Sequence, residues 1–316
     1  MTGVQTCALP IFTESHRHRV QGKVVHDIPS PVPLDAQLRL ATRLLRAFNQ
    51  AQRDALGMPP VYQVGENWRG VLQRSRQELY RIAEVGDANS LAHLLAHFCR
   101  NDLSGAIMGG KAMFQSFKSA RHEKWLQHNL DVWMALVDGQ ACLEEAAMPP
   151  IGNPYGYDVN GAIINWNSYV NHARAYRCSK LIEGIERPVV AEIGGGYGGF
   201  AYHLMQRNPN AIYIDFDLPE NGIIAAYYLS MAYPERRILL YNSPDLSLSR
   251  ELLRTYDAVI MPNFMLPKLN DLAADIFINM ISFSEMEIST VQEYFGQIDR
   301  TAKQYFYHEN LSCNPP

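Results

Sequence analysis

The chain has 316 residues, 47% of them hydrophobic and 19% charged, with a net charge of −4. That is enough material for one large domain or two smaller ones with a substantial core. The mild charge leaves no electrostatic footprint for nucleic acid or an anionic membrane, and no apolar run approaches the roughly 20 residues of a membrane span. Cys7, Cys99, Cys142, Cys178 and Cys313 are odd in number, far apart and never in a CxxC pair. This argues against a disulfide framework or a zinc site, and for reduced thiols in the cytoplasm.

The opening MTGVQTCALPIF has no basic n-region and too short an apolar run for an export signal; it resembles translated sequencing-adapter sequence, so residues 1–11 are set aside. Polar composition, with His16, Arg17 and His18 followed by three prolines, makes the segment to Pro33 a flexible lead-in. Helical periodicity begins at Leu34, where Leu34, Leu38, Ala41, Leu45 and Phe48 share a stripe that ends near Gly57 and Pro59-Pro60. A second helix is expected over 66–85, with Trp68, Val71, Leu72, Leu79 and Ile82 inward. A third runs over 89–100, capped by Asn89 or Ser90, and a fourth over 122–147 carries Trp125, Leu126, Leu130, Trp133 and Val137. Residues 34–150 thus read as a helical module.

Two motifs inside it are decoys. His93 and His97 have the i, i+4 spacing of a zinc pair, but Leu94 stands where HExxH needs glutamate. Residues 105–111 spell GxxxxGK without the preceding strand or the following hydroxyl that a phosphate loop requires. After Pro149-Pro150 comes the turn-rich IGNPYGYDVNG, which marks a boundary and offers Asn153, Tyr155 and Tyr157 to a substrate mouth. A helix from Trp166 follows, with Arg174 or His172 as candidates to reach a ligand carboxylate.

The strongest chemical signal is 189–200, VVAEIGGGYGGF, a buried strand feeding a glycine turn. Its spacing fits two cofactor classes. Gly194, Gly196 and Gly199 make GxGxxG, whereas Glu192 with Gly194, Gly196 and Gly198 makes the acid-x-GxGxG of S-adenosylmethionine (SAM) enzymes. Gly195 and Tyr197 complete the loop. A carboxylate at the strand end suits the cationic end of SAM and repels a pyrophosphate, so Glu192 favours SAM. Asp217 ends the next apolar strand, AIYIDFD, about twenty residues after the glycines, where an acid takes ribose hydroxyls; Leu218 follows it in the turn. Asp215 shares the face but lies farther from the carboxyl end. Further strands, RILLY, DAVIM, DIFINM and QYFYH, alternate with helices. The expected fold is α/β, a Rossmann-like parallel sheet covered on both faces, over residues 151–316.

EIGGGYGGF, DFDLPE with a Tyr-rich helix, FINMISFSEM, YFGQIDR and YFYHEN together resemble the sugar O-methyltransferase family, a branch of the SAM-dependent methyltransferases. The likeness covers roughly 151–310. It implies a methyltransferase sheet, SAM as donor and a sugar or glycosylated natural product as acceptor. It also makes 275–280 the fourth strand in preference to DAVIM, with Asn279, Ser282 and Glu285 above the sheet's carboxyl edge. For the base that takes the acceptor's proton, Glu285 comes first and His308 second, although a glutamate at a helix start is equally a cap. His308 with Glu309 and Asn310 could instead hold a metal. Few residues follow QYFYH, so the final hairpin of such sheets is expected to be missing and an edge exposed. Two other readings stay open: a nicotinamide-dependent oxidoreductase, and a non-catalytic SAM-binding fragment.

Overall fold

The computed structural model describes residues 22–110 and 121–311. The adapter-like start, His16 to His18, Cys7, Cys313 and Lys111 lie outside these, as do the side chains of Trp125 and Leu126.

Strand β1 (Lys23–Val24) corrects the expectation of an unstructured lead-in up to Pro33. Its neighbours give its backbone partners: Val25 N–H donates to Gly156 O, Ile28 N–H to Asn153, and the Arg100 guanidinium to the carbonyls of Val25 and His26. Helix α1 (Leu34–Ala55) buries Leu40, Ala41, Leu44, Leu45 and Phe48, whereas Leu34 is exposed. The second expected helix is two, α2 (Glu66–Ser75) and α3 (Gln77–Val85), broken at Arg76, whose side chain turns into the protein and is fully buried. Helix α4 (Ala88–Ala96) is capped by Asp87, which accepts from the N–H groups of Asn89 and Ser90; the cap lies earlier than expected. Helix α5 (Arg121–Leu136) is shorter than expected and buries Leu130 and Trp133; Val137 is buried just beyond it.

Strands β2 (Tyr157–Val159) and β3 (Ala162–Ile164) form a hairpin that pairs with β1 as a small antiparallel sheet. Then come α6 (Trp166–Leu181), β4 (Val189–Ile193), α7 (Gly199–Arg207), β5 (Ile212–Asp217), α8 (Pro219–Ala232), β6 (Ile238–Leu240), the short α9 (Arg250–Leu253), β7 (Ala258–Pro262), β8 (Ala274–Met280), α10 (Ile288–Thr301) and β9 (Ala302–Glu309). The six strands β4 to β9 form one wholly parallel sheet in the order β6-β7-β5-β4-β8-β9. Strand β8 lies directly beside the glycine strand, as the assignment of 275–280 required, and DAVIM lies beyond β5. Among the described residues no antiparallel strand joins the sheet, and β9 forms one edge.

Period-2 alternation sorts the strands between two cores. Val190, Tyr213, Ile276 and Ile278 pack toward α6, α7 and α8, in an apolar cluster that continues into the helical first half. Val189, Ala191, Ile193, Ile214, Phe216 and Phe277 pack toward α10. Both faces are covered, which explains why the strands are nearly continuous apolar runs. This is a doubly wound, Rossmann-like α/β fold with a helical region before it. No described helix is long and apolar enough to cross a membrane.

Candidate active site

In a doubly wound sheet the ligand crevice lies outside the carboxyl ends of the strands, where the order reverses. Here that point lies between β4, which is followed by β5 on one side, and β8 on the other. A cavity of 260 Å³ opens there, walled by the glycine loop, Glu192, Asp217, Leu218, Met280 to Ser282, Glu285, Met286 and α6 residues Trp166, Asn167, Asn171 and Arg174.

The loop conformation needs its glycines. Gly194, Gly196 and Gly198 have φ of 80°, 62° and 85°, the left-handed region that costs other residues about 1–2 kcal/mol. A Cβ on Gly195 would lie 2.6 Å from both Asp215 Oδ1 and the Tyr213 hydroxyl. The same loop holds its own N–H groups. Gly194 donates to Phe216 O, Gly195 to Asp215 Oδ1 at 3.1 Å, Gly196 to Asp217 Oδ2 at 2.8 Å and Gly198 to Gly195 O. Tyr197 lines the cavity and its hydroxyl accepts from Asn171 Nδ2.

Glu192, Tyr213, Asp215 and Asp217 share one face of two paired strands, with Glu192 opposite Asp215 in register. The Tyr213 hydroxyl donates to Glu192 Oε2 at 2.6 Å. Burial pushes the Glu192 carboxyl up to about 7 despite that bond, and pushes Asp217 up to about 6 against the bonds from Gly196, Leu218 and Asn221. Asp215 is fully buried beneath the loop, its Oδ2 without a partner, and burial with Asp217 nearby holds its carboxyl far above the usual range. Asp217 is the acid that lines the cavity, and Asp215 is not.

The other expected site residues divide. Ser282 lines the cavity, and its hydroxyl donates to Ile193 O. Asn279 does not reach the cavity: it is fully buried, donates to Ile193 O and Ser282 Oγ, and accepts from Phe283 N and Asn310 Nδ2. Its position ties the ends of β4 and β8 to the loop beyond. Glu285 ends a 3-10 turn, Ser282–Glu285, and lines the cavity. It is not the cap of α10, whose N-cap is Glu287.

His308 lies away from the cavity, exposed and stacked on Phe306 at 5.1 Å between ring centroids. Strand alternation is the reason: Phe306 and His308 share one face, while Glu309 points to the other and pairs with Arg174 at 3.0 Å. The same divergence parts His308 from Glu309 as joint metal ligands. His172 is buried too, accepting from Trp133 Nε1 at 3.1 Å, so Arg174 alone of that pair lines the cavity. Asn153, Tyr155 and Tyr157 form no part of the mouth; Asn153 accepts from Ile28 N and contacts His97, and the Tyr155 hydroxyl bonds Met108 O.

Residues of the first half complete the wall. Val61, Gln63, Gly65, Trp68, Ala106 and Ile107 line the cavity. Below them Arg76 Nη2 donates to Asn221 Oδ1 at 3.0 Å, and Asn221 Nδ2 donates to Asp217 Oδ1 at 3.2 Å. Contacts spanning more than a hundred residues leave no periodic trace in sequence, so neither Arg76 nor Asn221 stood out there.

A scan of protein families and a search of curated proteins found no match. Among solved structures, one likeness is to a protein described as a class I SAM-dependent methyltransferase of Listeria monocytogenes, at 10% identity and a TM-score of 0.23, covering 78% of this chain and 59% of that one. Another is to the DszA carbon methyltransferase, at 13% identity and a TM-score of 0.31, covering 85% of this chain and 69% of that one. The chain therefore spans about three-fifths of the first neighbour's length. At such distances neither likeness bears on the chemistry of the cavity.

Proposed function

We propose that the protein is a SAM-dependent O-methyltransferase whose cofactor-bearing unit is residues 151–316 and whose acceptor is a small molecule, a sugar or glycoside. The observation that carries the cofactor reading is the state of the glycine loop. A dinucleotide enzyme presents loop N–H groups to a pyrophosphate. Here the N–H groups of Gly194, Gly195, Gly196 and Gly198 are bonded to the protein's own oxygens, two of them carboxyl oxygens of Asp215 and Asp217. A pyrophosphate would find these donors already taken and the acids Glu192 and Asp217 in the cavity wall, whereas a cationic ligand favours the charged form of those two groups.

The residues fit SAM in type. Glu192, Asp217 and Arg174 line the cavity; on this reading Asp217 takes the ribose hydroxyls and Arg174 offers a cation to the carboxylate. When bound, SAM supplies an activated methyl group. The protein's part is to hold the acceptor hydroxyl, exclude water and take up its proton. Glu285 is the base we assign, because its carboxylate lines the cavity beside Ser282 and it is not used as a helix cap. The sugar acceptor rests on the family resemblance of residues 151–310.

Calorimetric titration with SAM and with NAD tests the cofactor: NAD binding without SAM binding would overturn the reading. Transfer of tritiated methyl groups from SAM to a panel of methyl glycosides tests the reaction. Glu285→Gln should lower that transfer by roughly 10²- to 10⁴-fold with SAM affinity nearly unchanged.

A further inference from the structure

The Trp68 indole Nε1 donates to Glu285 Oε2 at 2.8 Å, and the neighbouring Asn67 Nδ2 donates to Glu285 O at 3.2 Å. Two consecutive side chains of α2 thus grip one distant residue, 217 positions from Trp68 and 218 from Asn67, one by its carboxylate and one by its backbone. Trp68 and Glu285 both line the cavity, so the bond lies in the wall and not behind it. A glutamate on a short turn is a mobile group, and a base must be held within hydrogen-bond reach of the proton that it takes. Fixing Oε2 leaves the other carboxylate oxygen, Oε1, to accept.

We propose that Trp68 is the positioning residue for Glu285: the helical first half aims the base that the sheet carries. The proposal rests on Glu285 being the base. Among the described residues, the other charged groups lining the cavity, Arg174, Glu192, Asp217 and Glu287, make no hydrogen bond to Trp68. The indole N–H therefore reports on one carboxylate.

The chain holds four tryptophans, so amide correlation spectra of the ¹⁵N-labelled protein carry four indole N–H signals. Trp68→Phe assigns one of them, and if that variant does not fold, sequential backbone assignment through Asn67 to Arg69 does so instead. The Trp133 signal is set apart because its partner is His172. We expect the Trp68 signal to shift in Glu285→Gln by more than any of the other three, because the carboxylate that accepts its N–H has become an amide. Trp68→Phe should also lower methyl transfer to the glycoside panel about tenfold, the scale of a lost bond to a charged group, with a smaller change in SAM affinity. A Trp68 signal that is unchanged in Glu285→Gln overturns the positioning role. A shifted signal beside undiminished transfer by Glu285→Gln overturns Glu285 as base and Trp68's role with it.

Discussion

The N–H of Gly196 donates to Asp217 Oδ2 at 2.8 Å, so the second glycine of the loop is fastened to the tip of the neighbouring strand. Asp217 Oδ1 meanwhile accepts from Leu218 N and Asn221 Nδ2. An amide in its place would turn an NH₂ group toward one of these donors in either orientation. Asp217→Asn should therefore weaken SAM binding at least about tenfold, through a loosened loop and, on the proposed role, a lost ribose acceptor. Calorimetric titration checks this, and equal affinity would remove Asp217 from the site.

Gly195 separates packing from backbone freedom, since its φ is not in the left-handed region and yet a Cβ there meets Asp215 and Tyr213 at 2.6 Å. Gly195→Ala should destabilise the fold by about 1–3 kcal/mol, the usual effect of overpacking. A chemical denaturation midpoint equal to wild type would show that the acid cluster gives way.

Burial raises the folded-state values of Glu192 to about 7 and Asp217 to about 6, from 4.5 and 3.8. A carboxyl raised on folding holds its proton in the folded chain where the unfolded chain has released it. Stability of the ligand-free protein should thus be fully present below about pH 4.5 as far as Glu192 is concerned, and fall as pH rises to about 7, by roughly 3 kcal/mol. Urea unfolding across that window reads the slope. SAM, being cationic, should bind more tightly over the same window, with proton release near pH 6 visible as a dependence of the binding enthalpy on the buffer.

Arg76 is buried beside Glu220 and Asp217, and burial lowers its value to about 10 while those acids oppose the shift. Removing it leaves Asn221 without its donor and two buried acids without their cation. Arg76→Ala should cost about 3–5 kcal/mol and weaken SAM binding through Asn221 and Asp217. Stability and affinity measured on the same preparation would separate the two effects.

Local signals carried much of this architecture. The glycine strand, Asp217 at a strand end and the placing of 275–280 beside β4 follow from apolar runs, spacing and the family resemblance. The position of His308 turned on one ambiguity: a strand has two faces, and only the packing of Phe306 onto the α10 side decides which one His308 takes. Asn279 lies off the cavity because a polar residue at a strand end serves a neighbouring backbone as readily as a ligand. Trp68 read as an inward residue of a helix, which it is, but inward proved to mean the cavity wall.

The glycine loop has a kinetic consequence. Its amides are engaged before any ligand arrives, so Gly195 and Gly196 should exchange their hydrogens slowly in the ligand-free protein, and SAM should protect them little further. The flexibility that glycine permits was surrendered during folding, and ligand encounter need not wait for the cradle to form.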